Sequence, residues 1–125
     1  MQLSERFIKW IKKIGAYNIN PEQHCNERDR IDVAFKLKKS SIISELKSLS
    51  SYDNSPKRAI RAAIGQLLDY QYFNKDEKNL NLWIVLDGDI SKKEKDFITR
   101  INKNHNLSIS IIYEKNIDNF IEFKN

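Results

Sequence analysis

The sequence has one cysteine, two histidines and no apolar run as long as a membrane span or a secretory signal. A single cysteine cannot form an intramolecular disulfide, and His24 with Cys25 lacks the second ligand pair that a zinc site needs. Glycine and proline are scarce, at three and two residues, and no linker, internal repeat or low-complexity segment divides the chain. We therefore expect one domain over residues 1–125, in a soluble cytoplasmic protein.

Basic residues outnumber acidic ones. The 22 Lys and Arg against 17 Asp and Glu give a net charge of +5 and an isoelectric point near 9.3. This balance suits a polyanionic partner such as nucleic acid, although lysines that serve solubility alone produce the same composition. Hydrophobic residues form 40% of the chain, which is enough for a modest core.

The first half of the chain predicts a helix followed by strands. A helical period predicts a first helix ending at Gly15, with a buried face of Leu3, Phe7, Trp10, Ile11 and Ile14. The weakly patterned residues 16–29 predict a loop or a poor edge strand. From Arg30 the period changes to two, which predicts a strand, and after a polar turn at 38–40 a second strand covers 41–48.

The second half predicts a parallel arrangement. Ser55-Pro56 is typical of a helix start, and the helix continues to about Phe73. The apolar run 82–86 predicts a central strand that is buried on both faces. A capped helix and a strand over 107–113 then complete a right-handed parallel unit.

A short helix is predicted at the end of the chain, because Ile117, Phe120 and Ile121 have helical spacing.

Two carboxylates and a lysine occupy neighbouring, otherwise apolar strands. Glu45 and Lys47 share a face because they are two positions apart. A turn centred on residues 38–39 places Asp32 opposite Glu45, and one centred on 39–40 places it opposite Lys47. Both registers keep the three residues on one face, whereas a slip of one residue would move Asp32 to the other.

Two carboxylates about 5 Å apart repel each other unless a cation or a proton lies between them. Oxygen ligands from Asp32 and Glu45 suit Mg²⁺ or Mn²⁺, which can activate a water and neutralise a phosphate. Lys47 is placed to orient that water or to stabilise the transition state. The alternative is an ordinary cross-strand salt bridge between Lys47 and an acid.

Gln66 interrupts the apolar stripe of the long helix, which comprises Ala59, Ala63, Tyr70 and Phe73. Its amide can bind a catalytic water, a ligand carboxylate or a phosphate, or it can be satisfied by backbone groups in the core. The first turns of the same helix carry Lys57, Arg58 and Arg61, where cations are opposed by the helix dipole. A phosphate partner explains that placement, and so does a solvated surface.

The order of these elements resembles the core of the PD-(D/E)XK nuclease superfamily. A first helix is followed by a strand with Asp32, a strand with Glu45-Leu46-Lys47 and a helix that contains the segment 63–70 (Ala-Ile-Gly-Gln-Leu-Leu-Asp-Tyr). The resemblance covers about residues 3–86, with Ile31 where the superfamily's name has Pro. It implies an α/β restriction-endonuclease-like fold: an αβββαβ core with a mixed central sheet flanked by helices. To this core we expect an added C-terminal helix-strand-helix.

The resemblance also assigns roles to residues. Asp32 and Glu45 are the implied Mg²⁺ ligands, Lys47 and Gln66 join them as catalytic residues, and Tyr70 supports the helix motif. The implied activity is cleavage of DNA, with RNA left open and a non-cleaving or partner-dependent nucleic-acid-binding module as the alternative.

Three further residues are weaker candidates. Some members of the superfamily carry an extra acid on the first helix, a part that Glu5 or Glu22 would take, although an exposed surface glutamate is the simpler reading of Glu5. Arg30 is placed by strand alternation to meet a phosphate or, equally, to pair with Asp32 or Glu45 when no metal is bound. Lys57, Arg58 and Arg61 are the other expected nucleic-acid contacts. Because the chain has little beyond a minimal core, we expect a homodimer or a larger assembly.

Overall fold

The computed structural model describes the backbone of residues 2–24, 30–73 and 81–124, and the side chains of residues 2–21, 33–70 and 81–124. Cys25 lies outside the described residues. The helices are α1 (Leu3–Lys13), α2 (Pro56–Phe73) and α3 (Lys92–His105), with a 3₁₀ helix at Leu49–Tyr52. The strands are β1 (Tyr17–His24), β2 (Arg30–Leu37), β3 (Ser40–Lys47), β4 (Asn81–Leu86), β5 (Ile109–Asn116) and β6 (Asn119–Lys124).

The six strands form one mixed sheet in the order β1-β2-β3-β4-β5-β6. β1, β2 and β3 pair antiparallel, β3, β4 and β5 pair parallel, and β6 pairs antiparallel with β5. Helices α2 and α3 make the crossovers between the parallel strands, as parallel pairing requires. β4 therefore lies inside the sheet, where its continuous apolar sequence predicts it.

Two hydrophobic clusters cover the two faces of the sheet. On one face α1 packs against the sheet through an aromatic group made of Phe7, Trp10, Phe35, Trp83 and Phe120. On the other face α2 and α3 cover the sheet, with a cluster that includes Ile43, Ile60, Ala63, Leu67, Ile84, Ile98 and Ile111. Strand alternation decides which residues reach which helices.

The predicted fold class is confirmed, because α1, β1–β3, α2 and β4 form the αβββαβ order of a restriction-endonuclease-like core. Gly15 ends α1 with φ of +101°, a conformation that glycine adopts without strain. Residues 17–24 form the edge strand β1, with a shift in register between Tyr17 and Asn20. No helix in the part of the chain that the structure describes is long and apolar enough to cross a membrane.

The predicted closing helix is wrong, and the added C-terminal part is helix-strand-strand. Asp118 adopts φ of +65°, and β6 turns back to pair with β5, with Phe120 opposite Glu114 and Ile121 opposite Tyr113. Phe120 thereby joins the α1 cluster at 7% exposure. Hydrogen bonding along the edge of β5 and burial of Phe120 stabilise a strand here more than the helical spacing of these apolar residues favours a helix.

Candidate active site

The β2–β3 hairpin has the register in which the turn centres on residues 38–39. Val33 pairs with Ser44 and Leu37 with Ser40, and Lys38 makes the turn with φ of +56°. Continuing this register by one residue sets position 32 across from Glu45. Because Ala34 and its partner Ile43 belong to the face covered by α2, alternation assigns positions 32 and 45 to that face as well. The side chain of Asp32 lies outside the described part.

Glu45 and Lys47 form a buried ion pair at the end of β3. The Lys47 Nζ atom lies 3.1 Å from Glu45 Oε1, and the two side chains are only 12% and 4% exposed. Lys47 Nζ also lies 5.8 Å from the centroid of the Tyr52 ring, within the range of a cation–π contact. The lysine head group is therefore positioned by a carboxylate and by an aromatic ring.

Asp87 fixes the chain immediately after this pair. Its Oδ2 accepts a hydrogen bond from Ser48 Oγ and its Oδ1 accepts one from the Leu49 backbone N–H, both at 2.7 Å. Gly88 leaves room for Leu49, because a Cβ at position 88 would lie 2.4 Å from the Leu49 Cδ1 atom. The 3₁₀ helix that carries Tyr52 is thus attached to the end of β4.

Gln66 lies on α2, one helical turn before Tyr70. Tyr70 lies against Ala34 and Ile43, and α2 runs back along the sheet as a crossover between parallel strands. One helical turn from Tyr70 to Gln66 advances about 5.4 Å, close to the two-residue step of roughly 6.6 Å from Ile43 to Glu45. Gln66 Oε1 is buried, and no hydrogen-bond partner for it exists among the described residues. A buried amide oxygen without a donor is a costly feature in a folded protein.

These groups have the chemistry of a divalent-metal site with hard oxygen ligands. The Glu45 carboxylate and the buried Gln66 amide oxygen can serve as oxygen ligands on the face covered by α2. The strand register places position 32 on the same face. Within the described ranges, no three His, Cys, Asp or Glu residues are close enough together to hold a metal.

Glu5 is not brought to this group, and the side chain of Glu22 lies outside the described part. Glu5 is exposed on α1, and α1 packs against the opposite face of the sheet. Its neighbour Arg6 instead donates two hydrogen bonds of 2.8 Å, from Nε and Nη2, to the buried carboxylate of Glu114. The hydrogen bonds to Glu114, and then its charge, raise the pKa of Arg6. Glu114 also accepts the backbone N–H of Asp118, so this ion pair joins α1 to the β5–β6 hairpin.

The expected nucleic-acid contacts have different surroundings where the structure describes them. Arg58 is exposed and forms an ion pair with Asp53. Lys57 and Arg61 are exposed at a groove between α2 and α3. Arg30 lies in β2 two positions before Asp32, and its side chain is outside the described part.

Sequence reasoning missed Tyr52 and Asp87 as parts of the site. Tyr52 lies in a Ser-rich segment that indicates only a loop, and Asp87-Gly88-Asp89 indicates a turn after a strand. The clue available for Asp87 is its position directly after a central parallel strand, since polar groups at such carboxyl ends meet residues from neighbouring strands.

Comparison of the chain with protein-family models and with curated proteins gives no match. Two solved structures are similar in fold. One is an XisH family protein from Nostoc punctiforme PCC 73102, with a TM-score of 0.66, 16% identity and coverage of 98% of both chains. The other is an fdxN element excision controlling factor protein from Anabaena variabilis, with a TM-score of 0.65 and 19% identity over 97% of this chain and 96% of that one. The chain therefore shares its fold with these proteins over almost its whole length.

Proposed function

We propose that this protein is a Mg²⁺-dependent endonuclease that hydrolyses phosphodiester bonds in DNA. The observation that carries the proposal is the buried Glu45 carboxylate held 3.1 Å from the Lys47 ammonium on the face that also receives Gln66 and position 32. A surface salt bridge would be solvated. It would also leave unexplained the buried Gln66 oxygen on α2, which has no hydrogen-bond partner among the described residues. A site for a metal and a phosphate accounts for both features.

Asp32 and Glu45 would hold the metal. Bound there, Mg²⁺, or Mn²⁺ in its place, supplies Lewis acidity that makes water a better nucleophile and neutralises charge on the phosphate. Lys47 contributes a compact positive charge that orients the attacking water or stabilises the phosphate in the transition state. Gln66 binds the water or a phosphate oxygen through its amide, and Tyr70 packs the helix against β2 and β3.

DNA is the preferred polymer for two reasons. The chain has a net charge of +5, which favours a polyanion. One of the similar structures is an excision controlling factor for a genetic element, and excision of an element requires DNA strands to be cut. Paired cuts would require a homodimer or a larger assembly, since the described residues offer one such site.

Nicking of supercoiled plasmid tests the proposal. The wild-type protein should convert the plasmid to the open circular form with Mg²⁺ or Mn²⁺ and not with EDTA. Glu45→Gln should lower the rate by about a hundredfold or more, as expected when an essential electrostatic group is lost. Glu122→Gln removes the same charge from an exposed strand position and is the matched control. Equal activity of the wild type and Glu45→Gln, or no activity with any divalent metal, would contradict the proposal.

A second candidate is a nucleic-acid-binding module that does not cleave alone. The specific observation in its favour is that Lys47 lies 3.1 Å from Glu45 and can neutralise its charge, and one structural neighbour is described as a controlling factor. This reading expects salt-sensitive DNA binding that Glu45→Gln leaves unchanged, with no nicking in any metal.

A further inference from the structure

A groove of about 530 Å³ lies between α2 and α3, on the outer side of these helices. The residues that line it include Lys57, Ile60 and Arg61 from α2 and Lys93, Phe97 and Arg100 from α3. The α2–α3 groove is separate from the Glu45–Lys47 site. Lys57 and Gln66 are nine positions apart, which is about two and a half helical turns, so they lie on opposite sides of α2.

The positive charges of the groove are available to a ligand. Lys57, Arg61, Lys93 and Arg100 are all exposed, and no ion pair involves any of them among the residues that the structure describes.

The two acids in the groove already have partners. Glu94 Oε1 accepts hydrogen bonds from the backbone N–H and the hydroxyl of Ser91 as part of the helix cap. Asp96 Oδ2 pairs with Lys92 at 3.0 Å. The groove thus offers two lysines and two arginines, one of each from each helix, against two acids, and the charge of Asp96 is further offset by Lys92, so the balance stays positive.

The floor of the groove is apolar. Ile60 is fully buried, and Phe97 is half-buried, so part of its ring faces the groove. Sites for single-stranded nucleic acid combine cations that follow the phosphates with an aromatic ring on which a base stacks. An acidic protein segment would bind the cations but would have no base to stack on the exposed Phe97 ring. The bases of a duplex are already stacked inside the double helix, so they would not contact a ring on the floor of a groove between two helices.

We propose that the α2–α3 groove binds a single-stranded segment of DNA, with phosphates on the four cations and a base against Phe97. The inference rests on the proposed function for the identity of the polymer as DNA. Binding in the groove does not use the metal site, since the groove lies on the other side of α2.

Anisotropy of a short fluorescent oligo-dT and of a matched duplex, measured in EDTA, tests the groove alone. Lys93→Gln/Arg100→Gln should weaken oligo-dT binding about tenfold or more and reduce the salt slope by about 1.4, the value for two lost phosphate contacts on a single strand. Lys12→Gln/Lys13→Gln removes two exposed cations from α1 on the other face and should have much less effect. Phe97→Leu should weaken oligo-dT binding about fivefold or more and duplex binding much less.

An equal loss of oligo-dT affinity in the two double variants would contradict binding in the groove, because net charge alone would then explain the affinity. An unchanged affinity of Phe97→Leu for oligo-dT, or tighter groove-dependent binding of duplex, would overturn the single-strand assignment. Groove-dependent binding of poly-Glu in preference to oligo-dT would overturn it in favour of an acidic protein partner.

Failure of the two proposals gives different results. Glu45→Gln should lose nicking and keep oligo-dT binding. Absence of nicking in every metal, with groove binding intact, would contradict the nuclease and leave the groove supported. Normal nicking by a protein that does not bind oligo-dT through the groove would contradict the groove alone.

Discussion

The ammonium of Lys47 and the carboxylate of Glu45 meet at 3.1 Å from alternate positions of the same strand, with almost no exposure to solvent. Burial makes each charge dependent on the other, because a single unpaired charge is expensive in a protein interior. In the proposed nuclease a metal ion would take over part of the role of Lys47 as the partner of Glu45. The stability of this pair and its function are therefore linked.

Lys47→Met should destabilise the metal-free protein by about 3 kcal/mol, since it removes the ammonium that lies 3.1 Å from the buried Glu45 carboxylate. It should also make stability more sensitive to metal. Saturating Mg²⁺ should raise the melting temperature of Lys47→Met more than that of the wild type, because bound ligand stabilises the folded state. Urea unfolding and thermal scans with and without Mg²⁺ measure both effects.

Lys92→Met is the matched control for this prediction. Lys92 pairs with Asp96, but the side chains are 88% and 46% exposed, so loss of the pair should cost less than about 1 kcal/mol. Equal destabilisation in the two variants would show that burial does not set the strength of the Glu45–Lys47 pair.

Gln66→Leu should stabilise the protein while it lowers cleavage. The buried Oε1 atom has no hydrogen-bond partner among the described residues, so its removal should raise the free energy of unfolding by about 1 kcal/mol. Cleavage should fall because the amide no longer binds water or phosphate. Urea unfolding and plasmid nicking of the same preparation test the two directions, and a loss of stability with full activity would contradict the role given to Gln66.

Tyr52 should act as a positioning residue for Lys47. Tyr52→Leu removes the ring that lies 5.8 Å from Lys47 Nζ and should lower the cleavage rate about two- to fivefold, as expected for a contact of about 0.5–1 kcal/mol. Tyr52→Phe keeps the ring and should restore the rate. The comparison uses single-turnover cleavage, and equal loss in Tyr52→Phe would assign the effect to the hydroxyl instead.

Arg6→Met should lower stability without changing the chemistry of the site. It leaves Glu114 buried without its guanidinium, so we expect a loss of about 3 kcal/mol. A raised pKa keeps a basic group charged to higher pH, so the contribution of Arg6 is complete below the ordinary arginine pKa and is not lost through the neutral range. Unfolding at several neutral and mildly alkaline pH values tests this, and cleavage per folded molecule should equal that of the wild type.

Periodicity predicted most of the helices and strands, whereas the αβββαβ core was implied by the resemblance to the nuclease superfamily. Apolar run 82–86 identified the central strand, and the even spacing of Glu45 and Lys47 placed them on one face. It left two registers open for the hairpin, because neither Gly nor Asn marks the turn. Lys38 adopts the left-handed conformation there. Pairing of β2 with β3 imposes this conformation, and a lysine at the position does not predict it.

Contacts between distant segments could not be predicted in the same way. Lys93 and Arg100 lie seven positions apart on a charged helix and resemble an ordinary solvated surface until α3 is placed beside Lys57 and Arg61. The helix expected at residues 117–121 failed for a similar reason. Helical spacing is a local signal, whereas the edge of β5 that β6 covers exists only in the assembled sheet.

Asp87 is separated from Ser48 by 39 positions, yet it holds the end of the strand that carries Lys47. A nascent chain that has emerged only through α2 contains Asp32, Glu45 and Gln66 but has neither β4 nor the carboxylate that fixes this strand end. Parallel pairing over such a sequence separation forms slowly compared with helices and hairpins. The site is consequently completed only when β4 has formed beside β3, and a chain that ends within α2 lacks the arrangement on which cleavage would depend.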